Sequence, residues 1–199
     1  MNNINTLITR IEQSEGLVNV KDLLREGFSK ALIDQSIDEG HYHRLTSWIY
    51  LTPEAAEDKM FLIRVFSNNA IFSHETALSF HGLSDSKMRT YVVTAPNGYG
   101  SIHLKTIGVK VHFMKHDLYK LGIIEAKTPY GRSIQLYNVE RTLCDILRNN
   151  NDIVPEVLEE ALVRYAARED KNLDLLASYA KQFRIEGLLK SYNALLGYE

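Results

Sequence analysis

Two short runs carry the side chains best suited to chemistry. His74 and Glu75 open the first, and His81 follows two helical turns later. Two histidines on one helical face can hold a metal or anchor the helix through hydrogen bonds. A zinc-protease helix needs its second histidine one turn after the first, but that position is Leu78. The pair therefore reads as an anchor, with Glu75 placed to favour the helix dipole. The second run holds Glu140, Arg141 and Asp145. Arg141 and Asp145 have the i, i+4 spacing of a surface ion pair, worth about 0.3–0.5 kcal/mol when exposed. Metal-assisted nuclease chemistry would need a companion acidic or lysine motif in a strand, and the sequence offers none. The single cysteine, Cys144, excludes an internal disulfide and a cysteine-based zinc cluster. Its neighbours Leu143, Ile146 and Leu147 mark it as a buried small hydrophobe. Gly98 and Gly100 lack the lysine and hydroxyl of a P-loop. These residues predict no catalytic site, no metal site and no cofactor.

A different chemistry fits the N-terminal residues. Lys30 can reach a guanine edge or a phosphate, and Gln35 can pair bidentately with adenine. With Ser29, Ala31 and Asp34 they point outward from a helix whose Ile33 and Ile37 point inward. Lys21, Arg25, His43 and Arg44 are placed to contact backbone phosphates. Asp34 repels phosphate and so limits non-specific binding. Further along, Lys87, Arg89 and Lys110 are the additional candidates for phosphate contact.

The elements that would position these residues follow from periodicity and capping. Ile4, Leu7, Ile8 and Ile11 fit an amphipathic helix ending before Gly16. Asn19 caps a short helix over 20–26 that buries Val20, Leu23 and Leu24 and stops at Gly27. Phe28 follows as an apolar plug, and Ser29 caps a helix over 30–39 that stops at Gly40. That order is a helix-turn-helix. Residues 41–44 and 48–51 bracket a polar turn, and Tyr42, Leu45, Trp48 and Tyr50 supply a hairpin's packing side chains, giving a wing. Pro53 marks the predicted boundary, so 1–52 is expected to be a winged helix-turn-helix domain and 53–199 a second domain. In the latter, helices are expected over 54–66 and 74–81, the second capped by Ser73. Strands are expected over 89–95, 108–114, 122–127 and 133–137, with Pro96-Asn97-Gly98 turning between the first two. Helices follow over 139–148, 155–167, 173–183 and 185–196. The predicted class is α+β: a winged helix-turn-helix, then a mixed domain with a small, mostly antiparallel sheet and a helical C-terminal third.

The net charge of −2 excludes a protein that coats nucleic acid indiscriminately. Its distribution is uneven. Residues 1–52 carry five Lys/Arg against seven Asp/Glu, whereas 84–132 carry eight against three. The basic middle, or a second bound copy, is expected to supply affinity that the acidic N-terminal module lacks. No apolar run approaches the roughly 20 residues of a membrane span, and Met1–Asn5 lacks the charge and apolar run of a secretory signal. A cytoplasmic protein with no membrane partner is expected.

Three segments look like more than generic core: Ser73–Leu78 with His81-Gly82-Leu83, Tyr91–Pro96, and Tyr130-Gly131-Arg132 leading through Val139–Asp145. Behind the N-terminal module, in this order, they resemble the AbiEi family, antitoxins of type IV toxin–antitoxin systems that act in abortive phage infection. The resemblance implies a transcriptional autorepressor that binds double-stranded DNA at inverted repeats in its own promoter. It further implies a second domain that counteracts a nucleotidyltransferase-like toxin without forming a stable complex with it. One face of the C-terminal helices offers self-association on adjacent operator repeats. The chain departs from the family pattern at Ser47-Trp48, where related wings carry a glycine, and at Asp34 and Asp38, where recognition helices are arginine-rich. A metal-dependent nucleic-acid-processing enzyme targeted by the winged helix, and a ligand-sensing operon repressor, are the alternatives.

Overall fold

A computed structural model describes residues 3–86, 89–100, 102–149 and 153–197. The chain is α+β, and it divides into two compact units. The first comprises Met1–Val65 and Lys127–Ile134, the second Phe66–Ala126 and Gln135–Glu199. Pro53 opens a helix, at the N1 position where its missing N–H costs nothing.

The first unit runs α1 (Ile4–Gln13), β1 (Leu17–Asn19), α2 (Val20–Arg25), α3 (Lys30–Glu39), β2 (His43–Arg44), β3 (Ile49–Leu51), α4 (Pro53–Glu57) and α5 (Lys59–Phe66). The three caps form as their residue types dictate. Asn3, Asn19 and Ser29 side chains accept from the backbone N–H groups of Thr6, Lys21 and Leu32. Gly27, at φ +89°, lets the chain reverse between α2 and α3, and Phe28 N–H donates back to the Leu23 carbonyl. Leu7, Ile11, Val18, Val20, Leu23, Phe28, Ile33 and Ile37 form the core beneath them. Leu24 and Ile8, which the periodicity assigns to buried faces, are 37 % and 42 % exposed, because the short helices turn only a narrow stripe inward.

Strand β1 has no counterpart in the sequence reading. It pairs antiparallel with β3 in the register Leu17↔Leu51, Val18↔Tyr50 and Asn19↔Ile49, and β2 pairs with the other edge of β3, giving the order β1-β3-β2. The single helix expected over 54–66 is two. Asp58 leaves the helical region, and its side chain accepts from Phe61 N–H at 3.0 Å, capping α5. Thr128 donates to the second oxygen of Asp58 at 2.5 Å.

The second unit holds most of β4 (Ile71–Phe72), α6 (His74–Phe80), β5 (Val92–Pro96), α7 (Ile102–Thr106), β6 (Lys110–Met114), α8 (His116–Tyr119), β7 (Ile123–Lys127) and β8 (Ser133–Tyr137). Helices α9 (Val139–Arg148), α10 (Pro155–Ala166), α11 (Leu173–Phe183), α12 (Glu186–Lys190) and α13 (Asn193–Leu196) complete it. The sheet order is β6-β5-β4-β8-β7. The expected, mostly antiparallel pairing is replaced by a mixed sheet: β4 runs antiparallel to β5, but β5 is parallel to β6 and β4 to β8. The turn at Pro96-Asn97-Gly98 is therefore not a hairpin. It leads into α7, which makes the crossover that parallel strands need. The expected helix over 185–196 is split into α12 and α13.

Helix α9 is the axis of the second unit, packed by α6, α10 and α11. Every residue from Glu140 to Leu147 is buried, polar ones included. Gly122 meets it at φ +74°, where an added Cβ would lie 2.7 Å from the Arg141 Cβ. Only glycine allows that approach.

Candidate nucleic-acid interface

The interface candidates of the first unit sit on α2, α3 and the β2–β3 hairpin. Ile33, Ser36 and Ile37 are buried, so α3 turns Lys30, Ala31, Asp34, Gln35 and Asp38 to solvent. Ser29 is exposed and caps the helix. His43 and Arg44 are exposed on β2. The hairpin closes through Leu45 N–H and Thr46 N–H donating to the Ile49 carbonyl, while the Thr46 hydroxyl accepts from Trp48 and Ile49 N–H.

Four of the candidates are engaged by a near neighbour. Lys30 Nζ lies 2.7 Å from Asp34, and Arg25 lies 3.1 Å from Asp22. The Gln35 amide donates to Glu39 at 2.8 Å, and Arg44 Nε donates to the Thr46 carbonyl at 3.2 Å. Exposed pairs of this kind contribute little and exchange readily for a phosphate. Asp34 and Asp38 stay on the outward face when they do.

Sequence reasoning misplaced Trp48, expected to pack the hairpin. It is 42 % exposed, and Lys21 Nζ lies 5.1 Å from its ring centroid. The register explains why: Val20 N–H donates to the Trp48 carbonyl at 2.9 Å, which places the first turn of α2 against the β2–β3 hairpin. A cation over an exposed indole is a combination suited to a sugar-phosphate backbone. The signal for it, a β1 strand joining α2 to the hairpin, depends on pairing across the sheet.

The basic middle segment is divided between the two units. Lys127 and Arg132 belong to the first unit, where Lys127 bonds Glu15 at 3.1 Å and Arg132 lies 3.7 Å from Asp58. Glu15 also accepts from Ser133 N–H and Oγ and from Arg64. Partial burial raises its pKa, but these donors outweigh it and hold the carboxyl at about 2. Lys105 lies 6.0 Å from the Phe113 ring centroid. Arg89 and Lys110, both exposed, line one cleft of the second unit together, and Lys87 lies outside the described residues.

The residues considered for catalysis have different surroundings. His74 opens α6 at φ +49°, buried, with its ring stacked on His112 at 3.9 Å and 15°. Asn149 Nδ2 donates to its Nε2 at 2.7 Å, which leaves Nδ1–H facing the Ser73 hydroxyl at 3.0 Å. Burial first, then His112, Lys110, Arg141 and Arg148, lower its pKa well below the usual value, so it is neutral. Ser73 stands at the predicted cap position but makes no cap bond, because its hydroxyl instead accepts from Thr94. His81 points elsewhere, 2.7 Å from the Tyr137 carbonyl. Among the described residues, no group of three or more His, Cys, Asp or Glu is placed to hold a metal ion.

The Arg141–Asp145 pair is not the surface pair its spacing suggests. Both side chains are fully buried, 3.1 Å apart. Arg141 donates to the Leu118 and Leu121 carbonyls at 2.7 Å each and lies between the Tyr137 and Phe183 rings, 3.9 and 4.5 Å from their centroids. Burial lifts Asp145 to about 6 despite Arg141. Glu140 accepts from the Tyr165 hydroxyl and Asn172 N–H. Cys144 is buried, its thiol pushed up to about 12 by burial, which leaves it unreactive.

Among the described residues, no helix is long and apolar enough to cross a membrane. No protein-family model and no curated protein matches the sequence. The crystal structure of the RV2827C protein from Mycobacterium tuberculosis is similar, with a TM-score of 0.56 and 14 % sequence identity. The match covers 97 % of this chain and 80 % of that one. At that identity the likeness concerns the fold alone.

Proposed function

We propose that the first unit is a winged helix-turn-helix that binds double-stranded DNA, and that the protein is a transcriptional autorepressor acting on inverted repeats in its own promoter. The observation that carries this reading is the order α1-β1-α2-α3-β2-β3 with sheet order β1-β3-β2, which leaves a capped α3 with its outward face exposed beside a short hairpin. In this reading α3 enters the major groove by its N-terminal half, with Lys30 and Gln35 at base edges. Lys21, Arg25, His43 and Arg44 hold the backbone, and Trp48 packs on it. Arg89 and Lys110 lie in the other unit and are not needed for that contact.

The resemblance extends the proposal to an antitoxin that opposes a nucleotidyltransferase-like toxin without a stable complex. The motif residues that carry it in the second unit are frame residues: Ser73 and His74 in a buried network, Val92 to Ala95 in β5, Arg141 and Asp145 inside α9. They support a shared architecture, and no catalytic role is assigned to them.

Footprinting of the full chain on the DNA upstream of its own reading frame tests the proposal. Protection of paired inverted repeats is the expected outcome. Equal affinity for that fragment and for random duplex would remove the repressor reading. Co-expression with the product of the adjacent reading frame tests the antitoxin part separately, through rescue of growth.

A further inference from the structure

We infer that the second unit binds a small organic anion with an apolar body, in the cleft formed by α6, the Val92–Lys110 end of β5 and β6, and the start of α10. The cleft measures about 820 Å³, within the range of small-molecule sites. Its floor is apolar: Leu78 and Val92 are buried beneath it, with Ile153 and Val157 alongside. Among the described residues, two cations, Arg89 and Lys110, line it against one carboxylate, Glu75. The size and floor suit a ring or branched aliphatic body. The cations select an anionic group, and Glu75 selects a ligand that also carries a hydroxyl or amine donor.

The register adds a second argument. Val92 pairs with Lys110 and Thr94 with His112 in parallel strands, so these four side chains share one face of the sheet. The inner end of the cleft is therefore one residue pair from the stacked His74 and His112.

Among the described residues of the rim, Ser84 Oγ donates to Glu160 at 2.9 Å and accepts from Ser86 N–H at 3.1 Å, and the Thr90 hydroxyl donates to the Gly108 carbonyl.

Calorimetry and thermal shift on the full chain, without DNA, test the inference independently of the repressor reading. The probes are indole-3-lactate, phenyllactate and adenosine 5′-monophosphate, with indole-3-acetamide, adenosine and inorganic phosphate as controls. At least one ring-bearing anion is expected to bind about tenfold more tightly than both its neutral counterpart and phosphate. Lys110→Met and Arg89→Gln should each weaken it by about five- to thirtyfold. Val154→Trp, at a rim position that is 58 % exposed, should block it with the unliganded melting temperature unchanged. The inference is overturned if no anion exceeds its controls, or if binding is unaffected by all three substitutions. It is equally overturned if Val154→Trp acts by dissociating a dimer that covers the cleft, as sedimentation would show.

Discussion

Replacing Arg141 by methionine removes the cation of a fully buried pair while keeping a flexible, apolar stem. Among the described residues, Asp145 is left buried with no opposite charge at hydrogen-bond distance, and its Oδ2 already has no hydrogen-bond partner. The Leu118 and Leu121 carbonyls each lose a donor at 2.7 Å. Breaking one side of a buried pair costs about 3–5 kcal/mol, and the two carbonyls place Arg141→Met at the upper end. Asp145→Asn is milder, about 1–3 kcal/mol, because Arg141 retains both carbonyls and both aromatic faces. The informative species is the double variant. Arg141→Met with Asp145→Asn should be more stable than Arg141→Met alone by about 2 kcal/mol, since the second change removes the stranded carboxylate. Urea denaturation at pH 7.5, above the value near 6 held by Asp145, measures all four proteins. Asp145 in Arg141→Met has its folded pKa raised further above the unfolded one. That variant should therefore regain stability below the unfolded pKa and lose it as pH rises through the folded value. Additive losses in the double variant would refute an ion pair as the keystone of α9.

Other consequences follow from buried or bonded groups. Glu15 titrates at about 2 when folded against 4.5 unfolded, so it stabilises the first unit above pH 4.5 and loses this contribution as pH falls toward 2. Glu15→Gln should cost about 1–2 kcal/mol at pH 7, after allowance for its exposure, and flatten the acid limb of a urea-midpoint profile. His74 is held neutral, its folded pKa lying below the unfolded value, so its contribution is present above pH 6.5 and is lost on acidification from there. His74→Gln should reduce that slope, as thermal melts between pH 5 and 7.5 would show. Leu51→Ala, at a fully buried residue pairing with both Leu17 and His43, should cost about 2–5 kcal/mol in denaturant titrations. Gly122→Ala should destabilise α9 by forcing a Cβ onto Arg141, with the loss read in the same way.

Legibility in the sequence tracked locality. Helix α1 is visible through the period of Ile4, Leu7, Ile8 and Ile11, and α2 and α3 because Asn19, Gly27 and Ser29 act within a turn of where they sit. Strand β1 is not, since Leu17–Asn19 becomes a strand only through β3, more than thirty residues away. Pro96-Asn97-Gly98 correctly marks a turn, but Ile102–Thr106 forms a helix and converts the hairpin into a parallel crossover. Asp58 interrupts 54–66 through a side-chain cap that propensity does not weigh. For the candidate interface, the outward residues of α3 follow from its period. Their engagement by Asp34, Asp22 and Glu39 follows from spacing, and the exposure of Trp48 does not. Arg141 and Asp145 show the same limit: spacing predicts the pair, while burial requires the packing of α6, α10 and α11 around α9.

The central claim, specific DNA binding by the first unit, is tested most directly by fluorescence anisotropy of the full chain on a duplex from its own promoter across a salt series. Lys21, Arg25 and Arg44 are the phosphate-contacting cations offered per copy, so at about 0.9 per neutralised phosphate the log–log slope should be about −3 per bound copy. Lys30→Ala with Arg44→Ala should lower it by about one and, through Lys30, abolish discrimination against random duplex. An unchanged slope in that variant, or equal affinity of the wild-type chain for both duplexes, would contradict the account.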